Sequence, residues 1–427
     1  MLLRAVRAGP LLIGMVAAAE WLDALVSRYD SRVFTTGGRR ARVRLLESEE
    51  AWDVVLGDGE ALATPAGGKP DAVITGVPSV WRGVAAGLRG GIDAYLAGEL
   101  EVRRNLHVGV GFLAATSKAS GGGGMRFRPV STGRIRLCVV EAGEGPPVLA
   151  IHGLGGTKGS FLPTVQALAD RHRTIAFDLP GFGDSDKPIG AAYDAGFFAD
   201  ACIDLLDALE LDRVHLIGNS LGGRVALEVA LRRPDRVNRL VLLAPSLAWR
   251  RARQWVPLLR LTRPELGLVQ LAPRAVVDGI VRRLIPGADD GWTAAGVDEF
   301  LRAYLTPAGR AAFYAAARHI YLDEPHGTDG FWPRLATLQP DALFVWGRRD
   351  RLVPIAFQPH VAEVLPQARH IELDCGHVPQ VERPAQTHDA IGAFLSEGAT
   401  AHLTAAEPGR RAASRSSEGT PRRAVAG

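Results

Sequence analysis

The run Gly218-Asn219-Ser220-Leu221-Gly222-Gly223 joins an apolar stretch, Val214 to Gly218, to a helical pattern, Leu221 to Arg232. A serine among glycines at a strand-to-helix turn has the setting of an exposed nucleophile, because Gly218 and Gly222 let the chain turn sharply. The helix N-terminus, with the N–H of Leu221, then brings positive charge to where an oxyanion would develop. A serine hydroxyl needs a base, and a histidine base needs an acceptor that fixes its tautomer. His377 lies in Asp374-Cys375-Gly376-His377-Val378-Pro379, after the last apolar strand pattern and before the last helix. Asp350 follows Gly347-Arg348-Arg349 at the end of another apolar run. These three predict a nucleophile, a base and an orienting acid. Two rivals must be weighed. Asp374, three residues from His377, is better placed to shape the histidine loop than to reach the far ring nitrogen. His152, in His152-Gly153-Leu154-Gly155-Gly156, reads better as a structural residue that, with Gly153, holds a turn presenting backbone N–H groups. The Leu154 N–H would be the second oxyanion donor. The chemistry is two-step acyl transfer, which requires no metal and no organic cofactor.

Such a site needs strands that end together. Pro147–His152, Thr174–Asp178, Val214–Gly218, Arg239–Ala244, Ala342–Gly347 and Arg369–Leu373 read as strands, mostly continuously apolar, as in a sheet covered on both faces. Helical patterns at Phe197–Leu209, Leu221–Arg232 and Pro384–Leu395 alternate with them. The fold class predicted is therefore α/β, a mostly parallel sheet with helices on both sides. A hairpin of Met125–Val130 and Ile135–Glu141 would begin it. The long connection 245–334 is helical and rich in aromatics (Trp249, Trp255, Trp292, Phe300, Tyr304, Phe313, Tyr314, Tyr321, Phe331, Trp332), which predicts a cap that shapes a substrate pocket.

Taken together, HGLGG at 152–156, FDLPGFGDSD at 177–186, GNSLGG at 218–223, GRRD at 347–350 and GHVPQVERP at 376–384 resemble the α/β-hydrolase superfamily in its esterase and carbon–carbon-bond hydrolase branch. Their order, nucleophile then acid then histidine, is that family's order. The resemblance implies a serine hydrolase over about 126–397 and makes Asp178, Gly181, Gly183 and Ser185 parts of a scaffold turn. A serine at the nucleophile position departs from the branches that use aspartate there, the epoxide hydrolases and haloalkane dehalogenases.

Gly121 to Gly124 mark a boundary, so residues 117–125 read as a flexible linker behind a smaller α+β domain at 18–116. In that domain Ala19–Tyr29 reads as an amphipathic helix, and Arg42–Leu46, Trp52–Leu56 and Asp71–Gly76 as strands. Pro78–Leu88 and Gly91–Ala97 read as short helices, and Gly98–Val102 as a last strand followed by an apolar tail. The strand, helix, helix, G-x-L-x-V order resembles the sterol-carrier-protein-2 family. That resemblance implies a lipid-binding domain, a lipid-like ester as substrate and peripheral membrane contact. It also leads one to expect the piece from 125 onward to keep its activity on soluble esters.

The chain has 427 residues and a net charge of +4, and Arg410, Arg411, Arg415, Arg422 and Arg423 crowd its last residues. The basic excess belongs to a tail at 398–427 and marks no nucleic-acid-binding face. Cys138, Cys202 and Cys375 are isolated, which fits a reducing, cytoplasmic setting. Arg4 and Arg7 before Leu11–Ala19 resemble a short export signal, the competing reading of the N-terminus. The same triad would serve hydrolysis of a carboxylic ester, cleavage of a carbon–carbon bond in a diketone, or acyl transfer to an alcohol. A non-enzymatic lipid-binding protein is the reading from another class. Acyl-chain length and oligomeric state are left open by the sequence.

Overall fold

The computed structural model describes residues 20–57, 59–117, 124–249, 263–270, 273–284 and 291–405. The N-terminal signal-like run, most of the Gly-rich linker, Trp255 and the tail beyond 405 lie outside the described residues.

Continuous apolar runs become a parallel sheet. Strands β6 (Arg126–Ser131), β7 (Arg136–Ala142), β8 (Pro147–Ile151), β9 (Arg173–Phe177), β10 (Val214–Asn219), β11 (Val237–Leu243), β12 (Asp341–Gly347) and β13 (Arg369–Leu373) take the order β13-β12-β11-β10-β8-β9-β7-β6. From β13 to β9 every pairing is parallel, and β7 and β6 add antiparallel at one edge. Every residue of β10 is buried, as a strand covered on both faces requires. The chain leaves β8 for β9 on one side and returns to β10 on the other. The crevice beyond the carboxyl ends of β8 and β10 is thus the topological switch point. The α/β fold expected from the sequence is the fold present.

The N-terminal unit has its own mixed sheet, ordered β3-β2-β1-β4-β5. Its strands are β1 (Ala41–Glu47), β2 (Glu50–Gly57), β3 (Glu60–Pro65), β4 (Ala72–Gly76) and β5 (Leu100–Arg103). Helix α1 (Glu20–Val26) precedes it, and α2 (Pro78–Ala86) and α3 (Gly91–Leu96) connect β4 to β5. Two elements differ from expectation. Strand β3 was not foreseen: it is an edge strand with no buried residue, so its sequence shows no alternation. The apolar tail after β5 is a helix, α4 (Leu106–Ala115), in which nine residues are buried. It lacks a polar stripe because it is covered on every side.

Helix α4 changes the picture of two units on a flexible tether. One contiguous apolar cluster runs from Trp21, Trp52 and Trp81 through Phe34 and Phe112 to Phe127, Phe161 and Val165, and on to Val241 and Val345. The N–H of Phe127 in β6 donates to the Val33 carbonyl at 2.8 Å, so backbone pairing also crosses the boundary. The two sheets are distinct, yet their cores are continuous.

Helices α5 (Leu162–Leu168), α6 (Ala195–Ala208) and α7 (Leu221–Arg232) connect the sheet strands, and between β11 and β12 the cap contributes α8 (Leu266–Val269), α9 (Arg274–Leu284), α10 (Gly291–Tyr304), α11 (Pro307–Leu322) and α12 (Phe331–Leu335). Its aromatics do not share one role. Phe331 and Trp332 are buried in the hydrolase core, and Trp292 leans on Tyr95 of the N-terminal domain with ring centroids 4.7 Å apart. Phe300, Tyr304 and Phe313 form the cluster over the 152–156 loop. The last helix runs Pro384–Ala405, past the boundary at 397 expected from composition. Among the described residues no helix is long and apolar enough to cross a membrane.

Candidate active site

Ser220 follows β10 and precedes helix α7 (Leu221–Arg232), with φ 55° and ψ −117°. A residue with a Cβ rarely occupies that region, and the strain persists only because neighbours over-determine it. The Ser220 N–H donates to the Leu243 carbonyl at 3.0 Å, and its carbonyl accepts from Ser246 at 2.9 Å. Gly222 is there because α7 starts against the end of β8: a Cβ on it would lie 2.0 Å from the Ile151 carbonyl oxygen. This close approach sets Ser220 beside the 152–156 loop, where Ser220 Cβ lies 3.1 Å from the position a Cβ would take on Gly153.

Asp350 and His377 are brought together. The Asp350 side chain is wholly buried, and its Oδ2 lies 2.7 Å from His377 Nδ1. Its other oxygen accepts from the N–H groups of Leu352 and Val353 at 2.8 and 3.0 Å. Those bonds fix the carboxylate independently of the histidine, and Nδ1 must carry the proton to donate to it. The two loops can meet because Gly347 has no side chain: a Cβ there would lie 1.9 Å from the Gly376 carbonyl oxygen. The rival Asp374 sits outside, two-thirds exposed and paired with Arg349 at 3.1 Å.

His377 is held by two residues whose parts the sequence did not reveal. Asn219 Nδ2 donates to both the Leu243 and the His377 carbonyls at 3.0 Å, so the residue before Ser220 ties the histidine loop to the end of β10. Glu382 accepts the N–H of Gly376 at 2.6 Å and of Val378 at 3.0 Å, bracketing His377 from below.

His152 is fully buried, and both its nitrogens are engaged. Nε2 accepts from the Leu179 N–H at 2.9 Å, which leaves Nδ1 to donate to the Gly153 carbonyl at 2.8 Å. Burial holds its pKa below the ordinary histidine value. Its geometry is that of a brace between two loops. Among the described residues neither the Leu154 nor the Leu221 N–H meets a protein acceptor. That is what donors reserved for a transient anion require.

A buried charge network, unforeseen from the sequence, lies beneath this loop. Asp178 accepts both the backbone N–H and the Nζ of Lys158 at 2.7 Å, and also the Asp184 N–H at 2.8 Å. Burial opposes the Lys158 charge, but the Asp178, Cys138 and Asp184 side chains outweigh it and raise its pKa. Asp184, in turn, is held well below the carboxylate range against its own burial by surrounding cations, Arg302 and Lys158 among them. The only signal in the sequence was a lysine close after the HGLGG glycines. Among the described residues, no group of three or more His, Cys, Asp and Glu side chains converges as a metal ion would need.

Comparison with known proteins agrees with this construction. The family profile described as alpha/beta hydrolase fold matches residues 146–384. A similar relative is 2-hydroxymuconate semialdehyde hydrolase of Pseudomonas sp. (strain CF600), 28% identical over 292 residues, spanning 65% of this chain and 96% of that protein. Another is 2-hydroxy-6-oxo-2,4-heptadienoate hydrolase of Pseudomonas putida, 30% identical over 277 residues, spanning 63% and 96%. Among solved structures, a membrane phospholipase A described as a bacterial virulence factor is 28% identical with a TM-score of 0.50, covering 64% of this chain and 86% of its own. With the profile covering more than half of its length, the chain belongs to the alpha/beta hydrolase fold family.

Proposed function

We propose that this chain is a serine hydrolase that cleaves carboxylic esters with an apolar acyl group. In this reading Ser220 is the nucleophile, His377 the base and Asp350 the acid that orients it. The observation that carries it is the fully buried Asp350 carboxylate on His377 Nδ1, with the His377 loop tied through Asn219 to the turn that holds the strained Ser220. His377 Nε2 takes the Ser220 proton as Oγ attacks the carbonyl carbon, and Asp350 stabilises the imidazolium. The Leu154 and Leu221 N–H groups receive the oxyanion. The C–O bond breaks as His377 returns the proton to the leaving alcohol. Water, deprotonated by His377, then attacks the acyl-enzyme, releasing the acid and restoring Ser220.

The preference for an uncharged, apolar substrate rests on what surrounds that carbonyl. Phe300 and Phe313 line the outer side of Gly155, and Tyr304 packs on both. Two guanidinium groups on described elements around this region are already neutralised. Arg224 pairs with Glu228 and Asp323, and Arg302 with Asp184 and Glu299.

A second reading has specific support. Relatives at 28–30% identity carry the names of hydrolases acting on 2-hydroxymuconate semialdehyde and on 2-hydroxy-6-oxo-2,4-heptadienoate, so the same triad would cleave a carbon–carbon bond in such a dienoate. Transfer of the acyl group to an alcohol uses the same intermediate. A lipid-carrying role for the N-terminal domain finds less support, since stacked Trp21 and Trp81 and the edge of Trp52 fill its interior.

The test is fluorophosphonate labelling of the full chain, with Ser220→Ala as control. A chain-length series of p-nitrophenyl esters is then compared with a 2-hydroxy-6-oxo-dienoate. Labelling retained in Ser220→Ala removes the nucleophile assignment. Turnover of the dienoate but of no ester moves the function to carbon–carbon cleavage.

A further inference from the structure

Helix α10 touches two things at once. One face grips the N-terminal domain. The Asp298 carboxylate accepts from Arg103 Nε at 2.8 Å and from the Arg104 N–H at 2.9 Å. Arg104 stands at φ 74°, a conformation that a residue with a Cβ keeps only under constraint. Glu299 accepts the Leu106 N–H at 2.7 Å, so a carboxylate closes the N-terminus of buried helix α4. Trp292, about two helical turns before Glu299, rests on Tyr95. From the same helix Arg302 reaches Asp184 with two bonds of 2.9 Å and returns to Glu299 at 2.7 Å, joining the grip to the Lys158–Asp178 pair.

The other face bears on the site. The Phe300 ring lies against Gly155, where an added Cβ would come within 2.8 Å of a ring carbon. Gly155 adjoins Leu154, whose N–H is read above as an oxyanion donor. A shift of α10 therefore moves a ring that is in contact with the loop supplying that N–H. An uninterrupted chain of contacts runs from Arg103 and Leu106, through Asp298 and Glu299, to Phe300 and Leu154.

We propose that the N-terminal domain is a positioning element of the active site, acting through Asp298 and Glu299 as positioning residues that hold α10 and Phe300 on the oxyanion loop. The proposal rests on the serine-hydrolase reading of Leu154. It gives the domain a part in turnover that needs no ligand of its own.

The test uses the full-length protein with Asp298→Asn, Glu299→Gln, Phe300→Ala and the pair Glu299→Gln/Phe300→Ala. Readouts are kcat and KM on a short water-soluble ester and hydrogen exchange over residues 291–304. Asp298→Asn and Glu299→Gln should speed exchange in α10 and lower kcat by about tenfold, with a smaller change in KM, because a misplaced donor costs the transition state most. Phe300→Ala should lower kcat alike while leaving exchange in 106–115 unchanged. The double variant should be no worse than the poorer single one, since both break the same chain of contacts. Wild-type kcat in folded variants, faster exchange without loss of kcat, or multiplying effects in the double variant would each overturn the proposal. If Glu299→Gln does not fold, Arg103→Lys, at a partly exposed position, replaces it under the same criteria. The exchange measurement needs no turnover. A wild-type chain that neither labels nor cleaves esters therefore sinks the functional reading, while slow, unchanged exchange in the variants sinks the docking.

Discussion

The two sides of the candidate site are built differently. On the Ser220 side everything comes from the hydrolase sheet: Asn219 ties β10 to the histidine loop, and Asp350 is set by its own neighbours' N–H groups. On the Leu154 side the support is borrowed. His152 braces the loop to Leu179, Lys158 anchors it to Asp178, and α10 presses on it while held by the N-terminal domain. On the proposed reading, the nucleophile half is self-contained and the oxyanion half leans on distant segments. Damage far from the chemistry should therefore reach the second and spare the first.

The largest effects should come from the self-contained half. Ser220→Ala should lower ester turnover by about 10⁴-fold or more, and Asp350→Asn by about 10³-fold, as the tautomer of His377 is lost. Asp374→Asn should stay within about twofold, because that carboxylate meets Arg349 outside the site. Steady-state kinetics on a soluble ester measure all three, and a reversal of the two aspartates would move the acid assignment.

Next comes removal of residues 1–124. The sequence alone led to the expectation that the remainder would keep its activity. The continuous core argues for the opposite outcome, since losing residues 1–124 strips Phe34 and His107 from Phe127 and removes one side of a shared apolar cluster. The truncated piece should be insoluble or inactive, and the full chain should melt in one calorimetric transition. Two separate transitions would restore the picture of a tethered accessory domain.

A smaller effect is expected at Glu382. Replacing it with glutamine weakens the bracket on Gly376 and Val378 and should lower kcat by about tenfold while costing about 1 kcal/mol of stability. Equal losses in the rate of fluorophosphonate labelling and in kcat would place the defect at His377.

The smallest concerns pH. Burial, aided by nearby Lys158, pushes His107 at the domain junction down to about 4. The folded chain then keeps this ring neutral while the unfolded chain protonates it near 6.5. Stability is therefore intact above about pH 6.5 and falls as pH drops towards 4. The contribution is on the order of 1–2 kcal/mol after allowing for partial solvent access. Urea midpoints across that range should fall less steeply in His107→Phe; identical slopes would exclude His107 as the cause.

How much was legible follows the same division. The strands, the strained Ser220 turn and the His377 loop could be placed from short-range chemistry, glycine at a turn and an apolar run ending in a polar residue, whereas the choice of Asp350 as partner of His377 rested more on chain order and the family resemblance. Helix α4 could not be read as a helix, since full burial erased its periodicity and Gly109 and Gly111 weakened its propensity. Nor could the clamp, because Asp298 and Arg103 are 195 residues apart and each is an ordinary surface-type residue in its own segment. The cap's aromatics were visible as a group. Composition could not say that Trp292 faces a neighbouring domain, Trp332 the core and Phe300 the oxyanion loop.

The carboxylate on the Leu106 N–H has a consequence in time. Its partner, Glu299, lies 193 residues downstream. During synthesis at roughly 5–20 residues per second, α4 leaves the ribosome some 10–40 s before the group that closes its end. For that interval α4 has its Asn105 cap on the Val108 N–H but no carboxylate on the Leu106 N–H, and the domain carries an apolar face awaiting strands and helices not yet made. Contacts of such sequence separation form late, and Asp350 and His377 emerge later still, so a nascent chain stalled between Glu299 and Asp350 would hold the group that closes α4 but neither member of the His377–Asp350 pair.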